Sequence, residues 1–338
     1  MTTAVGFRLM AVTPPQSSSE HPLHTAPVVA QVDRSGFVES VHHGIVAATG
    51  ADGGLELAIG PVDAPMFPRS SNKPVQALAM LRCGLDLPDH LLSLACASHN
   101  GEEFHREGVR EILAGAGLTE DDLQNTPDRP IYPPERERWI AEGLAPSSIG
   151  QNCSGKHAGM LATCVVNGWD TATYRDPGHP LQVAMADTLA DLAGEPIAAT
   201  GIDGCGAPVM AISTAGLARA FGRLASASED TPEGRIARAI RSHPDYLGGT
   251  DRDVTSLIRA VPGLIAKDGA EAVYAIGLAD GRGIALKIAD GNQRARTVVA
   301  RAALECLGVT GDLSALDPDP ILGHGDPVGT ISPIGLDA

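Results

Sequence analysis

Four lysines stand in a chain of 338 residues that carries 25 Lys plus Arg, so arginine fills the other 21 basic places. A surface cation can be either residue. A neutral amine that accepts a proton must be lysine, because a guanidinium stays protonated in proteins. Lys73, Lys156, Lys267 and Lys287 are therefore worth examining before any motif is considered. In "RSSNKP", Ser70 lies three positions before Lys73, and Pro74 suits the first turn of a helix capped by Ser71 or its neighbour. Residues three apart on a helix share a face, so hydroxyl and amine read as a nucleophile and its base. That role needs an amine neutral near pH 7 against an ordinary value of about 10.4, a shift that burial or a second cation supplies. The plain alternative is a capping serine beside a solvated lysine.

Two further matches follow in order. "ACASHNGEEFH" holds Ser98-His99-Asn100, an S-x-N, and "LIAKDGAEAVYAIG" holds Lys267-Asp268-Gly269, a K-x-G. S-x-x-K, S-x-N, K-x-G is the motif order of serine acyl-transferring enzymes of the β-lactamase and penicillin-binding type. Ser98 would bridge the two amines and relay a proton, while Lys267 would lower the proton affinity of Lys73. The plain readings are a loop hydroxyl and a strand-entry charge.

A third group lies in "GQNCSGKHAGML" and "GIDGCGAPV". Of six cysteines, Cys83, Cys96, Cys164 and Cys306 sit in apolar or helical contexts and read as small buried hydrophobes, whereas Cys153 and Cys205 lie in polar, glycine-rich loops. Cys153, Lys156, His157 and Cys205 offer donors suited to zinc, but their spacing matches no common structural zinc pattern. Asp203 is a reasonable counter-ion for a substrate ammonium group.

The elements that must position these residues come from the periodicity. Residues 1–26, rich in Pro, Ser and Thr, read as a flexible N-terminal extension, and 27–338 as one catalytic domain. "VVAQVDR", "FVESVHHGIVAAT" and "LELAIG" are strand-like, separated by the turn signals "SG" and "ADGG". Near the other end, "AVYAIGLA" and "GIALKIA" form a hairpin, a helix follows, and "ILGHGDPVGTISPIG" reads as a terminal strand pair. Between them, about 73–265 is mostly helical in period, and "TPDRPIYPPERER" reads as a loop. The expected class is α+β: an antiparallel sheet from about 28–60 and 270–335 with a helical region inserted.

The net charge of −16 argues against nucleic acid or an anionic membrane as partner, and no run of 18 apolar residues forms a transmembrane candidate. A cytoplasmic protein acting on a small neutral or zwitterionic molecule is the expectation.

Taken together, "RSSNKP", "CASHNGE", "NCSGKHAGML", "GIDGCGAP" and "AKDGAEAVYAIG" resemble the class 3, rhizobial-type L-asparaginases, the asparaginase II family. The resemblance runs from about Val28 into the C-terminal hairpin and helix. It implies hydrolysis of L-asparagine to L-aspartate and ammonia, a serine β-lactamase and glutaminase-like fold, and a homodimer. It also implies two Ser-Lys pairs, Ser70 with Lys73 and Ser98 with Lys267, and a zinc ion on Cys153, Lys156 and Cys205. Arg69, His99, Asn100, Asp203 and Gly204, in the same motifs, become candidate substrate contacts. Another S-x-x-K amidase, peptidase or glutaminase, or a non-catalytic zinc-binding protein, stays open.

Overall fold

The computed structural model describes residues 21–336. Most of the expected extension lies outside the described residues; of its last positions, Pro22–Thr25 form one 3-10 turn and Ala26 is buried.

Strands β1 (Val28–Arg34), β2 (Phe37–Thr49) and β3 (Leu55–Ile59) open the chain, with the short β4 (Pro65–Met66) after them. Helices α1 (Lys73–Arg82), α2 (Asp89–Ala95), α3 (Glu103–Gly115), α4 (Pro133–Ala141), α5 (Ser154–Asn167) and α6 (Pro180–Ala193) follow. The hairpin β5 (Ala199–Ile202) and β6 (Pro208–Ser213) precedes α7 (Thr214–Ser226), α8 (Pro232–Ser242), α9 (Pro244–Leu247) and α10 (Asp253–Ala260). Then come β7 (Ile265–Gly269), β8 (Val273–Gly277), β9 (Gly283–Ile288), α11 (Arg296–Cys306), β10 (Ile321–Gly323) and β11 (Asp326–Pro333).

The architecture is α+β, as expected. The main sheet runs β10-β11-β1-β2-β9-β8-β7 with β3 also on β2, so strands from both ends of the chain interleave. All its pairings are antiparallel. The "SG" turn joins β1 to β2 with positive φ at both Ser35 (54°) and Gly36 (83°), the conformation that matches strand twist in tight hairpins. Strands β7, β8 and β9 are buried along their whole length, so no alternation marks them, and the charged Lys267, Asp268 and Lys287 on them are buried too.

Helix α7 lies directly on β8 and β9. A Cβ on Gly283 would sit 1.9 Å from the Ala218 carbonyl oxygen, and one on Gly277 2.1 Å from that of Phe221. Only glycine permits that approach, and Gly283→Ala should lower the urea stability by about 1–3 kcal/mol through displacement of α7.

Three local expectations change. The "TPDRPIYPPERER" loop runs into α4, whose Pro133 and Pro134 occupy a first turn that needs no amide hydrogen. The helical region is interrupted by β5 and β6, which join β4 in a second, three-stranded sheet. β5 is only four residues long and largely exposed, so it leaves no apolar period to read. No side chain caps α1; the chain enters it through a 3-10 turn, Arg69–Asn72, and the Ser71 hydroxyl donates to Pro68 O at 2.7 Å.

Candidate active site

The 3-10 turn places Ser70 at the rim of a cavity of about 350 Å³. The end of β7 packs against that turn, and a Cβ on Gly269 would meet Pro68 O at 2.8 Å, so the glycine of K-x-G lets the strand approach Ser70. Ser98 lines the same cavity from the loop between α2 and α3. That loop is pinned on both sides: Ser98 N donates to Leu247 O, His99 N to Asn152 O, and Asn100 N to Gly248 O.

Lys73, the first residue of α1, is 1% exposed. Its Nζ donates to Ala97 O at 2.6 Å and contacts Ser98 Oγ and Cys153 Sγ, each at 3.1 Å. The lysine of the first motif is thus bonded to the serine of the second. Ser70 Oγ, three residues away in sequence, makes no hydrogen bond among the described residues.

Lys267 is wholly buried on β7 and bonds Asp268, at 2.8 Å to its carbonyl and 2.5 Å to its carboxylate, rather than Ser98. Burial, reinforced by the charge of Lys73, pulls the Lys267 ammonium down to about 8 despite Asp268. Burial would raise the Asp268 carboxyl, but Lys267, Arg252 and Arg296 outweigh it and hold it well below the carboxylate range. Lys267 carries an expected pH effect. Between about 8 and the ordinary 10.5 the unfolded chain holds a proton there that the folded chain does not, so stability should rise with pH across that window. The contribution reaches ~3 kcal/mol, and urea titrations of Lys267→Met should lack it.

The third group is continuous with the first. Cys153, the residue before α5, touches Lys73, and Lys156 Nζ on the first turn of α5 donates to Cys205 Sγ at 3.2 Å. Cys205 sits in the turn between β5 and β6, closed by Asp203 N to Ala207 O and Gly206 N to Asp203 O. A hydrogen bond from Cys153, aided by Lys156 and His157, holds the Cys205 thiol well below its ordinary value despite burial, while Cys153 is raised. Burial works against the Lys156 ammonium, but Cys205, Cys153 and Asp203 outweigh it and raise its pKa. His157 bonds Tyr174 Oη through Nδ1 at 2.6 Å, interacts with Cys205, and leaves a buried Nε2 without a hydrogen-bond partner.

Cys153, Cys205 and Lys156 thus form one buried group of two thiols and an amine, and the thiols are donors of the kind zinc takes. Among the described residues no three His, Cys, Asp or Glu side chains gather to hold a metal, so such a site depends on the lysine.

The candidate substrate contacts divide. His99 is fully buried, with Nδ1 accepting from Gly101 N at 3.0 Å and Nε2 bonded to Ser154 Oγ at 2.9 Å, so it holds the loop. Asn100 is spent likewise on Thr250 O at 2.7 Å and Glu102 at 3.1 Å. Asp203 pairs with Arg69 at 2.8 Å and accepts from Gly204 N at 2.8 Å. Arg69 lines a different cavity, of about 430 Å³, together with Glu271 and Lys287. The cavity at Ser70 and Ser98 is completed by Asn152, Arg252, Asp268, Gln293 and Arg296. Asp268 had a visible signal, the middle of K-x-G; Arg252, Gln293 and Arg296 had none, since each is one polar residue in an ordinary helix-start context.

Ser70 and Ser98 thus line one cavity, with buried Lys73 bonded to Ser98. The family model described as L-asparaginase II matches residues 30–333, and the chain belongs to that family of amidohydrolases. No curated protein matches the chain in sequence. Among solved structures, one described as "Crystal Structure Analysis of Mglu" is 13% identical, with a TM-score of 0.44, covering 79% of this chain and 67% of that one. "Crystal Structure Analysis of Mglu in its native form" is 15% identical, with a TM-score of 0.43 and coverages of 78% and 64%. "Crystal Structure Analysis of Mglu in its glutamate form" is 14% identical, with a TM-score of 0.42 and coverages of 82% and 62%. The chain thus spans about two thirds of the length of these solved chains.

Proposed function

We propose that the protein hydrolyses L-asparagine to L-aspartate and ammonia through an acyl-enzyme on Ser70, within one catalytic domain at 27–338. The observation that carries this is the placement of Ser70 and Ser98 on one cavity, with buried Lys73 3.1 Å from Ser98 Oγ. Ser70 Oγ, free of internal hydrogen bonds, attacks the side-chain amide carbon. Its proton passes through the Ser98 hydroxyl to Lys73 and then to the departing ammonia, and water hydrolyses the resulting ester. Lys267, wholly buried on β7, places a second amine near that of Lys73. In this reading the Ser70 N–H, in the first turn of the 3-10 helix, serves as the oxyanion donor.

A second reading has Ser98 as nucleophile, favoured because it alone already contacts a lysine. Ammonia release from L-asparagine by Ser70→Ala and Ser98→Ala, with mass spectrometry of quenched reactions, separates the two. Loss of turnover in both, with an aspartyl adduct on Ser70 in the wild type, supports the first. An adduct on Ser98 moves the nucleophile there, and turnover that survives both substitutions sinks the acyl mechanism.

Cys153, Lys156 and Cys205 would hold zinc. A bound ion would tie the loop before α5 to the turn between β5 and β6, and so order the walls near the substrate. A homodimer, on the strength of the family resemblance, and a cytoplasmic location, on the sequence expectation, complete the reading. Among the described residues no helix is long and apolar enough to cross a membrane.

A further inference from the structure

L-Asparagine is a zwitterion, and a site that selects it must match a carboxylate as well as an amide. Its carboxyl carbon lies three C–C bonds from the reacting amide carbon, about 4 Å away when extended. The group that receives it must therefore stand beside the serines.

The cavity holding Ser70 and Ser98 has two arginines in its wall, Arg252 and Arg296. Arg296 is the more buried and the more engaged, though not fully so: its Nη2 bonds Asp253 at 2.6 Å, its Nη1 lies 3.7 Å from Asp268, its guanidinium lies 5.0 Å over the Tyr274 ring, and its buried Nε has no hydrogen-bond partner among the described residues. Arg252 is half committed. Its Nη2 bonds Asp268 Oδ2 at 2.5 Å, a charge-assisted contact that anchors that side of the guanidinium. Its Nη1 has only Ser98 O and Asn100 Oδ1, both at 3.5 Å, the outer limit of a hydrogen bond. The arginine also stands where the reaction cavity meets two neighbouring ones, of about 740 and 420 Å³, so its free side is open to an incoming molecule. Arg69, the cation adjacent to Ser70 in sequence, is turned away into another cavity and paired with Asp203.

With the asparaginase reading as basis, we propose that Arg252 is the specificity-determining residue that binds the substrate α-carboxylate through Nη1. Asp268 holds it in place through Nη2. Backbone contact to the Ser98 carbonyl sets the distance between that anchor and the reacting amide.

The test compares L-asparagine with 3-aminopropanamide, the same molecule with hydrogen in place of the carboxylate, on wild type, Arg252→Gln and Arg252→Lys. Arg252→Gln should raise KM for L-asparagine about tenfold to a hundredfold, the range for a lost hydrogen bond to a charged group. Its kcat/KM on 3-aminopropanamide should stay within about threefold of wild type. Arg252→Lys, which keeps the charge but loses the fork, should fall between for L-asparagine. Equal loss on both substrates would overturn the assignment and make Arg252 a structural partner of Asp268. Where Arg252→Gln does not fold, calorimetry on Arg252→Lys decides: weakened L-aspartate binding with unchanged 3-aminopropanoate binding supports the anchor, and unchanged L-aspartate binding overturns it. A wild type that releases no ammonia from L-asparagine overturns the asparaginase reading itself, a result distinct from the others.

Discussion

Lys73→Met should reduce ammonia release from L-asparagine about a thousandfold or more, within the range attributed to a positioned base acting on a weak nucleophile. The residue is buried and touches Ala97 O, Ser98 and Cys153, so its loss removes both a proton acceptor and a charge. Lys73→Arg separates the two. Arginine supplies the charge and the donors but does not give up a proton, so an equal loss assigns the effect to basicity. If Lys73→Arg keeps more than about a tenth of wild-type activity, Lys73 serves as a fixed cation and the base must be sought elsewhere. Circular dichroism and urea midpoints of both variants guard against reading unfolding as lost chemistry.

The second large effect concerns the thiols. The protein should bind one equivalent of zinc, and at free zinc a hundred times the dissociation constant its stability should rise by about 2.7 kcal/mol. Cys205→Ser should abolish both, because its thiol receives Lys156 and interacts with Cys153 and His157 in one buried cluster. Chelated enzyme should keep its kcat and show a raised KM, since the proton path from Ser70 through Ser98 to Lys73 contains none of these donors. Absence of zinc binding by metal analysis and by stability would remove the ion from the proposal and leave the acyl mechanism standing. A loss confined to kcat would instead give the cluster a part in the chemistry, through the contact between Cys153 and Lys73.

Much of the site was legible because lysine is scarce. All four lysines are buried, at 1%, 1%, 0% and 7% exposure for Lys73, Lys156, Lys267 and Lys287. A chain that uses arginine on its surface keeps the flexible, titratable amine for places where an arginine will not do. The expected strands at both termini are those that pair, β1 with β11 and β2 with β9, since alternation and turn residues are local properties. Cys153 and Cys205 stood out by their polar loops, while Cys83 and Cys306, expected to be buried, are only partly so because they lie at helix ends.

Pairing was decided by the tertiary structure. The resemblance pairs Ser98 with Lys267 and the motif order has Ser98 bridging both amines; Lys73 bonds Ser98, while Lys267 bonds its neighbour Asp268 instead. Ser70 Oγ makes no hydrogen bond to the Lys73 amine among the described residues, whereas the pinned loop at 98–100 brings Ser98 to it. His99 and Asn100 were legible as members of a motif, not as struts whose ring nitrogens and amide nitrogen hold the surrounding loops. Arg252 was invisible, because its meaning lies in the 3.5 Å between one nitrogen and a loop 154 residues earlier. Residue type and spacing thus singled out the groups equipped for chemistry, since pKa range, donor softness and backbone freedom belong to the residues themselves. Which group faces which was left to packing, because a hydrogen bond is fixed by ångströms that only the assembled core supplies.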